Sequence, residues 1–256
     1  MKVVTNAREL PSACAFVPTM GALHAGHASL FTLAKHYSES VVASIFVNPL
    51  QFESKEDLAK YPRTPDIDIE IAAASGVTHL WLPLHDEIYP EGFTKQSAGP
   101  IGDIYEGKSR PGHFDGVLTV VRRLFDLVNP NVAIFGEKDF QQLQLIKTIA
   151  GDIEIITAPT IRESDGLALS SRNVRLAPEG RTAAAVIYRA LVQAKNEEEL
   201  RAILATESAL TIDYADFIDE KTFAHAQSDT QQVRAIIAGW INGVRLIDNM
   251  AMGNRA

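Results

Sequence analysis

The chain has 256 residues, a mass of 28.0 kDa and 46% hydrophobic residues, enough for one substantial core or for a larger domain with a smaller appendage. Its 24 Lys and Arg against 32 Asp and Glu leave a formal charge of -8, which opposes non-specific attraction to nucleic acid and to anionic membrane. An anionic substrate therefore needs a local pocket of positive potential, and the single Cys14 excludes an internal disulfide and a four-thiolate zinc site.

In chain order, short β-branched runs alternate with longer amphipathic stretches. Strands are predicted at residues 13–17, 41–47, 77–82, 131–135 and 152–157, and helices at 27–37, 65–75, 115–128 and 139–150. This is the pattern of a Rossmann-like α/β fold, a doubly wound parallel sheet with crossover helices on both faces. In GVLTVVRRLFDLVNP, Val117, Val120, Val121, Leu124, Leu127 and Val128 form one stripe that should pack on the sheet, and Asn129-Pro130 ends the helix. After about Arg175 the texture changes. Pro178-Glu179-Gly180 opens a long Ala-rich helix, NEEELRAILA follows as a second, and strand-like pieces at 211–218, 233–238 and LIDNMAM close the chain. The expectation is a nucleotide-binding catalytic domain over 1–176 and a small C-terminal α/β domain over 177–256. The longest apolar runs, such as 41–47, are far short of a spanning helix, and the N-terminus lacks a basic start followed by an apolar region, so the protein is expected to be soluble and cytoplasmic.

Residues 18–27, PTMGALHAGH, follow the first expected strand. Pro18 and Gly21 break it, and a helix begins near Gly26 and His27. A strand, a glycine turn and a helix start present unpaired backbone N–H groups to an anion, and phosphate is the natural guest. His24 and His27, three apart, can point to the same face and donate to phosphate oxygens. Two other interpretations stand beside this one: a pair of zinc ligands, although no acidic or thiol partner accompanies them, and a glycine-punctuated loop with surface histidines. No G-x-G-x-x-G or Walker P-loop is present here.

HAGH after PTMGAL resembles the H-x-G-H signature of the nucleotidyltransferase superfamily. FVNPLQF from Phe46, YPRT from Tyr61, RPGHFDGV from Arg110, FGEKDFQQL from Phe135, DGLALSSRN from Asp165 and RLIDN from Arg245 extend the likeness, in order, to the pantothenate synthetase (pantoate–β-alanine ligase) family. The resemblance implies a two-step, ATP-dependent ligation through a pantoyl adenylate, with ATP, pantoate and β-alanine as substrates, Mg2+ on the triphosphate, and a homodimer. It implies ATP contacts at Met20, Gly21, Ala22, Leu23, His24, Ala25, Gly26 and His27, at Gly136, Glu137, Lys138 and Asp139, at Ile161, and at Leu169, Ser170, Ser171 and Arg172. His24, His27, Lys138, Ser170, Ser171 and Arg172 are the catalytic candidates, with His27 a proton donor by resemblance and an electrostatic group by chemistry.

Gln51 and Gln142 are the pantoate contacts that the resemblance implies, with Asn48 beside them at a strand end. A helical i, i+4 relation to Lys138 independently favours Gln142 over Gln141. Asp139 suits a ribose hydroxyl or an N-cap, and Arg110 and His113 are further cation donors or parts of a turn. Asp68, with Asp66, is a candidate magnesium ligand. The helix that commonly precedes the PTMG strand in the family is expected to be abbreviated here. A transferase that stops at a nucleotide-bound product and a non-catalytic nucleotide sensor are the rivals. The two glutamines and RPGHFDGV speak against the first, the retained His24, His27, Lys138 and Arg172 against the second.

Overall fold

The computed structural model describes residues 1–253. The chain forms two compact units, Met1–Glu137 with Gln141–Pro159, and Lys138–Phe140 with the residues from Thr160 onward. The expected boundary at 177 and the observed division at Thr160 differ by residues 160–176. In that stretch Leu167 packs in the second unit's core and Arg162 makes a two-pronged ion pair with Asp248, so this segment is built into the second unit.

The first unit runs β1 (Lys2–Val4), β2 (Ala15–Thr19), α1 (Ala25–Ala34), β3 (Val41–Ile45), α2 (Lys55–Lys60), α3 (Pro65–Ala74), β4 (His79–Trp81), α4 (His85–Ile88), α5 (Glu106–Ser109), α6 (His113–Val128), β5 (Val132–Gly136), α7 (Phe140–Ile149, of which Phe140 itself belongs to the second unit) and β6 (Glu154–Ala158). Its six strands pair in parallel in the order β1-β4-β3-β2-β5-β6. The five expected strands are there. β1 is a sixth, a three-residue edge strand. Short 3-10 turns occupy Ala7–Glu9 and Pro49–Gln51.

Side chains alternate across β2. Phe16 faces a core closed by α6, while Ala15 and Val17 face one containing Phe31 and Ala34 of α1 and Ala72 of α3. The α6 stripe buries Val117, Leu118, Val121, Leu124, Phe125 and Val128. At about 1.5–3 kcal/mol for each fully buried side chain of this size, that face far outweighs the exposed Arg122–Asp126 pair, worth about 0.3–0.5 kcal/mol. Asn129 in the left-handed region returns its N–H to Phe125 and stops the helix.

The chain steps outward from β2 to β3 and β4, then resumes on the other side of β2 with β5, which makes the β2/β5 junction the switch point where open α/β sheets bind ligands. Pro18 does not break β2, as expected, but lies inside it opposite Ser44 of β3. Proline lacks the N–H needed for a second ladder, and β2 pairs with β5 only at Ala15 and Phe16. Beyond Phe16 the two strands part. The loop after β2 thus leaves from an opened crevice.

In the second unit, the single long helix expected from 178 is two, α8 (Pro178–Ala183) and α9 (Ala185–Gln193), parted by one turn residue at Ala184; α10 (Glu197–Leu204) follows. An antiparallel sheet of β7 (Thr211–Asp219), β8 (Val233–Ile241) and β9 (Val244–Ala251) completes it, with Ile187, Leu191, Leu200, Leu204 and Ile237 in its core. No helix among the described residues is long and apolar enough to cross a membrane.

Candidate active site

The loop after β2 is held from below by α3. Asp68, buried in the first turns of that helix, accepts the Leu23 N–H (2.7 Å) and the Thr64 hydroxyl (3.0 Å) on Oδ1, and the Ala22 N–H (3.0 Å) on Oδ2. Gly21 at φ +80° and Ala22 at φ +50° make the left-handed step that turns these amides inward. A Cβ on Gly21 would lie 2.9 Å from Asp68 Oδ2, so this position suits glycine in conformation and in space. The carboxylate expected to ligate magnesium is therefore a brace for the loop, while Asp66 is exposed on the first turn of α3. Asp68→Ala should lower stability by about 2–4 kcal/mol, since it strands buried donors of a charge-assisted network. Asp68→Asn should fare little better, because its amide turns a donor towards an N–H. Denaturant midpoints equal to the parent's in both variants would remove the brace.

The expectation of unpaired loop amides is corrected by the same geometry at every position from Gly21 to His27 except Ala25, whose N–H meets no acceptor among the described residues. Gly21 N donates to Thr19 Oγ1, Ala22 N and Leu23 N to Asp68, His24 N to His27 Nδ1 (3.3 Å) and Gly26 N to His24 Nδ1 (3.1 Å). The two histidines thus cap α1 reciprocally, a role usually taken by Ser and Glu. An imidazole that accepts through Nδ1 carries its proton on Nε2, so these bonds fix both rings as Nε2–H donors. The ring centroids lie 4.2 Å apart, inclined by 47°. What this loop can offer an anion is the pair of imidazoles and the Ala25 N–H rather than a row of free amides.

After β3, Phe46 packs edge-on to Tyr89, and residues 48–51 turn back under α6. Asn48 spends its whole amide here. Its Oδ1 accepts from Leu50 N (3.1 Å) and Tyr89 Oη (2.6 Å), and its Nδ2 donates to Gln51 Oε1 (2.9 Å) and Gly116 O (3.0 Å). Burial pushes the Tyr89 pKa well above its ordinary value, so the hydroxyl stays a donor. Asn48 therefore orients Gln51 rather than offering a group to substrate. Gln51 is 8% exposed, its Oε1 is taken by Asn48, and its Nε2 meets no acceptor among the described residues. That nitrogen is not among the fully buried unpartnered atoms, so it keeps access to solvent and can donate to an oxygen-rich ligand. On α7 the buried Gln141 binds Glu106 N, Ile101 O and Ile104 O, whereas Gln142 is half-buried with no such bond.

Arg110 and His113 are buried, and the donors expected to meet phosphate point instead to the main chain of Gln51.

In the second unit, Lys138, Ser170, Arg172 and Asn173 line one pocket with Asp248. The Lys138 carbonyl is held by Asn249 Nδ2 (2.8 Å), and its half-buried ammonium has no ion pair among the described residues. Ser170 caps a 3-10 turn, Ser171–Arg175, by accepting the Arg172 N–H (3.2 Å), and the Arg172 guanidinium likewise makes no ion pair among the described residues. The bidentate Arg162–Asp248 pair fixes the segment leading there. Ile161 gives its carbonyl to Leu169 N (2.9 Å), while its N–H meets no acceptor among the described residues.

A family model described as pantoate-beta-alanine ligase matches residues 1–251. The chain belongs to the pantoate–β-alanine ligase family. It is 48% identical to a pantothenate synthetase of Acidothermus cellulolyticus over 93% of this chain and 85% of that one, and 44% identical to one of Chlorobium chlorochromatii over 98% and 93%. The crystal structure of pantothenate synthetase from Thermus thermophilus superposes with a TM-score of 0.94 at 40% identity, covering 99% of this chain and 100% of that chain. That of pantoate-beta-alanine ligase from Francisella tularensis, complexed with beta-gamma ATP and beta-alanine, gives 0.84 at 38%, covering 100% of both. Within this family frame, Tyr89 and the bracing role of Asp68 are additions from the structure. Tyr89 carries no sequence signal beyond its aromatic character, because its partner Asn48 lies 41 residues away.

Proposed function

We propose that this protein condenses pantoate with β-alanine in two steps. The pantoate carboxylate attacks the α-phosphorus of ATP and displaces pyrophosphate; the β-alanine amine then attacks the acyl carbon of the pantoyl adenylate, forming the amide and expelling AMP. The observation that carries the substrate reading is Gln51, whose side-chain oxygen and main-chain carbonyl are both taken while its amide nitrogen is not, on the sheet edge from which the His24–His27 loop also leaves. That nitrogen suits the oxygens of a hydroxy acid, with Gln142 a second amide of the same kind.

The protein's contribution is placement and charge. His24 and His27 donate Nε2–H to phosphate oxygens that gain charge as the bond to pyrophosphate breaks. Lys138 and Arg172 supply full positive charge, and Ser170 and Ser171 hydroxyl donors, to the triphosphate. Met20, Ala25, Gly136, Glu137, Asp139, Ile161 and Leu169 border the nucleotide. Magnesium enters as the counter-ion of the triphosphate, as part of the substrate; the Asp68 carboxylate, filled by three donors, does not fit as its ligand. The protein works in the cytoplasm as a homodimer, independent of nucleic acid and membrane, a setting that its net charge of -8 and lone cysteine favour.

A coupled assay of AMP release tests the activity. AMP should form with ATP, pantoate and β-alanine and stop when either acid or amine is withheld. Equal AMP without β-alanine, or free replacement of pantoate by other acids, would end the assignment.

A further inference from the structure

The main-chain carbonyl of Gln51 is gripped by two buried cationic-type side chains, Arg110 at the C-terminal end of α5 and His113 at the first residue of α6. His113 Nδ1 lies 2.9 Å from it and Arg110 Nη2 3.3 Å, while Arg110 Nη1 lies 3.1 Å from His113 Nε2. An arginine only donates, so His113 Nε2 accepts, and Nδ1 carries the proton that goes to Gln51 O. The chain of bonds runs one way, from guanidinium to imidazole to carbonyl. Glu106 and Glu53, each 3.6 Å from Arg110, balance its charge from α5 and from the loop after Gln51.

The next turn of α6 continues the grip. A Cβ on Gly116 would fall 2.3 Å from Leu50 O, so the absence of a side chain there lets the 48–51 turn lie against the helix, and Gly116 O takes the second hydrogen of Asn48 Nδ2. None of these contacts points into solvent or towards a charged ligand. Their common effect is on one object, the turn that carries Gln51. We propose that Arg110 and His113 are positioning residues for the acid substrate, which hold the Gln51 backbone so that its Nε2–H2 is aimed at pantoate. This rests on Gln51 contacting pantoate, as proposed above. It replaces a role for either side chain on phosphate.

Two substitutions at one position separate the alternatives, because the Asn amide reaches the place of Nδ1 and the Gln amide that of Nε2. In the full-length enzyme, His113→Asn keeps a donor to Gln51 O, and the KM for pantoate should stay within about threefold of the parent. His113→Gln loses that donor, and the KM for pantoate should rise about tenfold or more, with the KM for ATP within about twofold, since loosening a positioning group misplaces one substrate only. Arg110→Lys, which keeps the charge but not the planar fork, should shift the pantoate KM in the same selective way. The lysine variant decides the matter if His113→Gln does not fold. An unchanged pantoate KM in the folded Gln or Lys variant, or equal rises for pantoate and ATP, would overturn the positioning role. Failure of the parent enzyme to use pantoate would instead overturn the activity on which it rests.

Discussion

Replacing Lys138 by alanine should lower pantoate-dependent ATP–pyrophosphate exchange by about a thousandfold, with thermal unfolding unchanged. A positioned donor aimed at charge that develops in the transition state is worth about 10²–10³ in rate, and a full ammonium in a half-buried site stands at the upper end. The structure separates this group from the fold. The residue is anchored through its carbonyl by Asn249, and Asn249 is itself held by Arg234, which lies over the Phe140 ring. The side chain contributes no ion pair among the described residues, so removing it strands no partner. The loss should fall mainly on the turnover of bound substrates, because the interaction strengthens as pyrophosphate departs. Lys138→Arg should restore little, since the guanidinium is broader and its charge is spread over a plane. Normal exchange in Lys138→Ala would show that the phosphates are neutralised elsewhere.

The sheet was legible because buried parallel strands are written as short β-branched runs, and VVASI, VAIF and EIIT stand out from their surroundings. β1 was not, since three residues with exposed Lys2 and Val3 carry no period. Pro18 misled because a proline normally ends a central strand. It survives in β2 at a point where only one neighbour is still paired, a fact of topology rather than of local sequence. The long Ala-rich stretch concealed the break at Ala184, as alanine favours helix on either side of it equally.

For the site, identity was easier to infer than role. The motifs bring His24 with His27, Gln51 with Asn48, and Lys138 with Ser170 and Arg172, each group within its own unit. What a motif does not carry is the direction of each hydrogen bond. Asn48, Asp68, Arg110 and His113 were all placed next to ligand groups, and each proves to bind the backbone of the loops that present them. The preference for Gln142 over Gln141 came from the family likeness and, independently, from helical spacing, and the structure adds a reason. Three bonds already claim the Gln141 amide.

His27 offers a test in which capping and catalysis part. Its Nδ1 accepts the His24 N–H and so helps to close the start of α1, while its Nε2–H is the donor proposed for phosphate. His27→Asn places an oxygen near the Nδ1 position and keeps the cap, but has nothing at Nε2. Its thermal stability should stay close to the parent's, and its adenylation rate should fall by about 10²–10³, the usual effect of losing one such donor. His27→Gln does the reverse. Its amide reaches towards the Nε2 position and should recover part of the rate, while loss of the cap lowers stability by about 1 kcal/mol. If proton donation rather than charge stabilisation were the function of this residue, the glutamine amide, which cannot release a proton, would recover nothing. Partial activity in Gln alongside near-inactivity in Asn therefore distinguishes an electrostatic imidazole from an acid, and equal rates in the two would mean that Nε2 does not face the reacting phosphate.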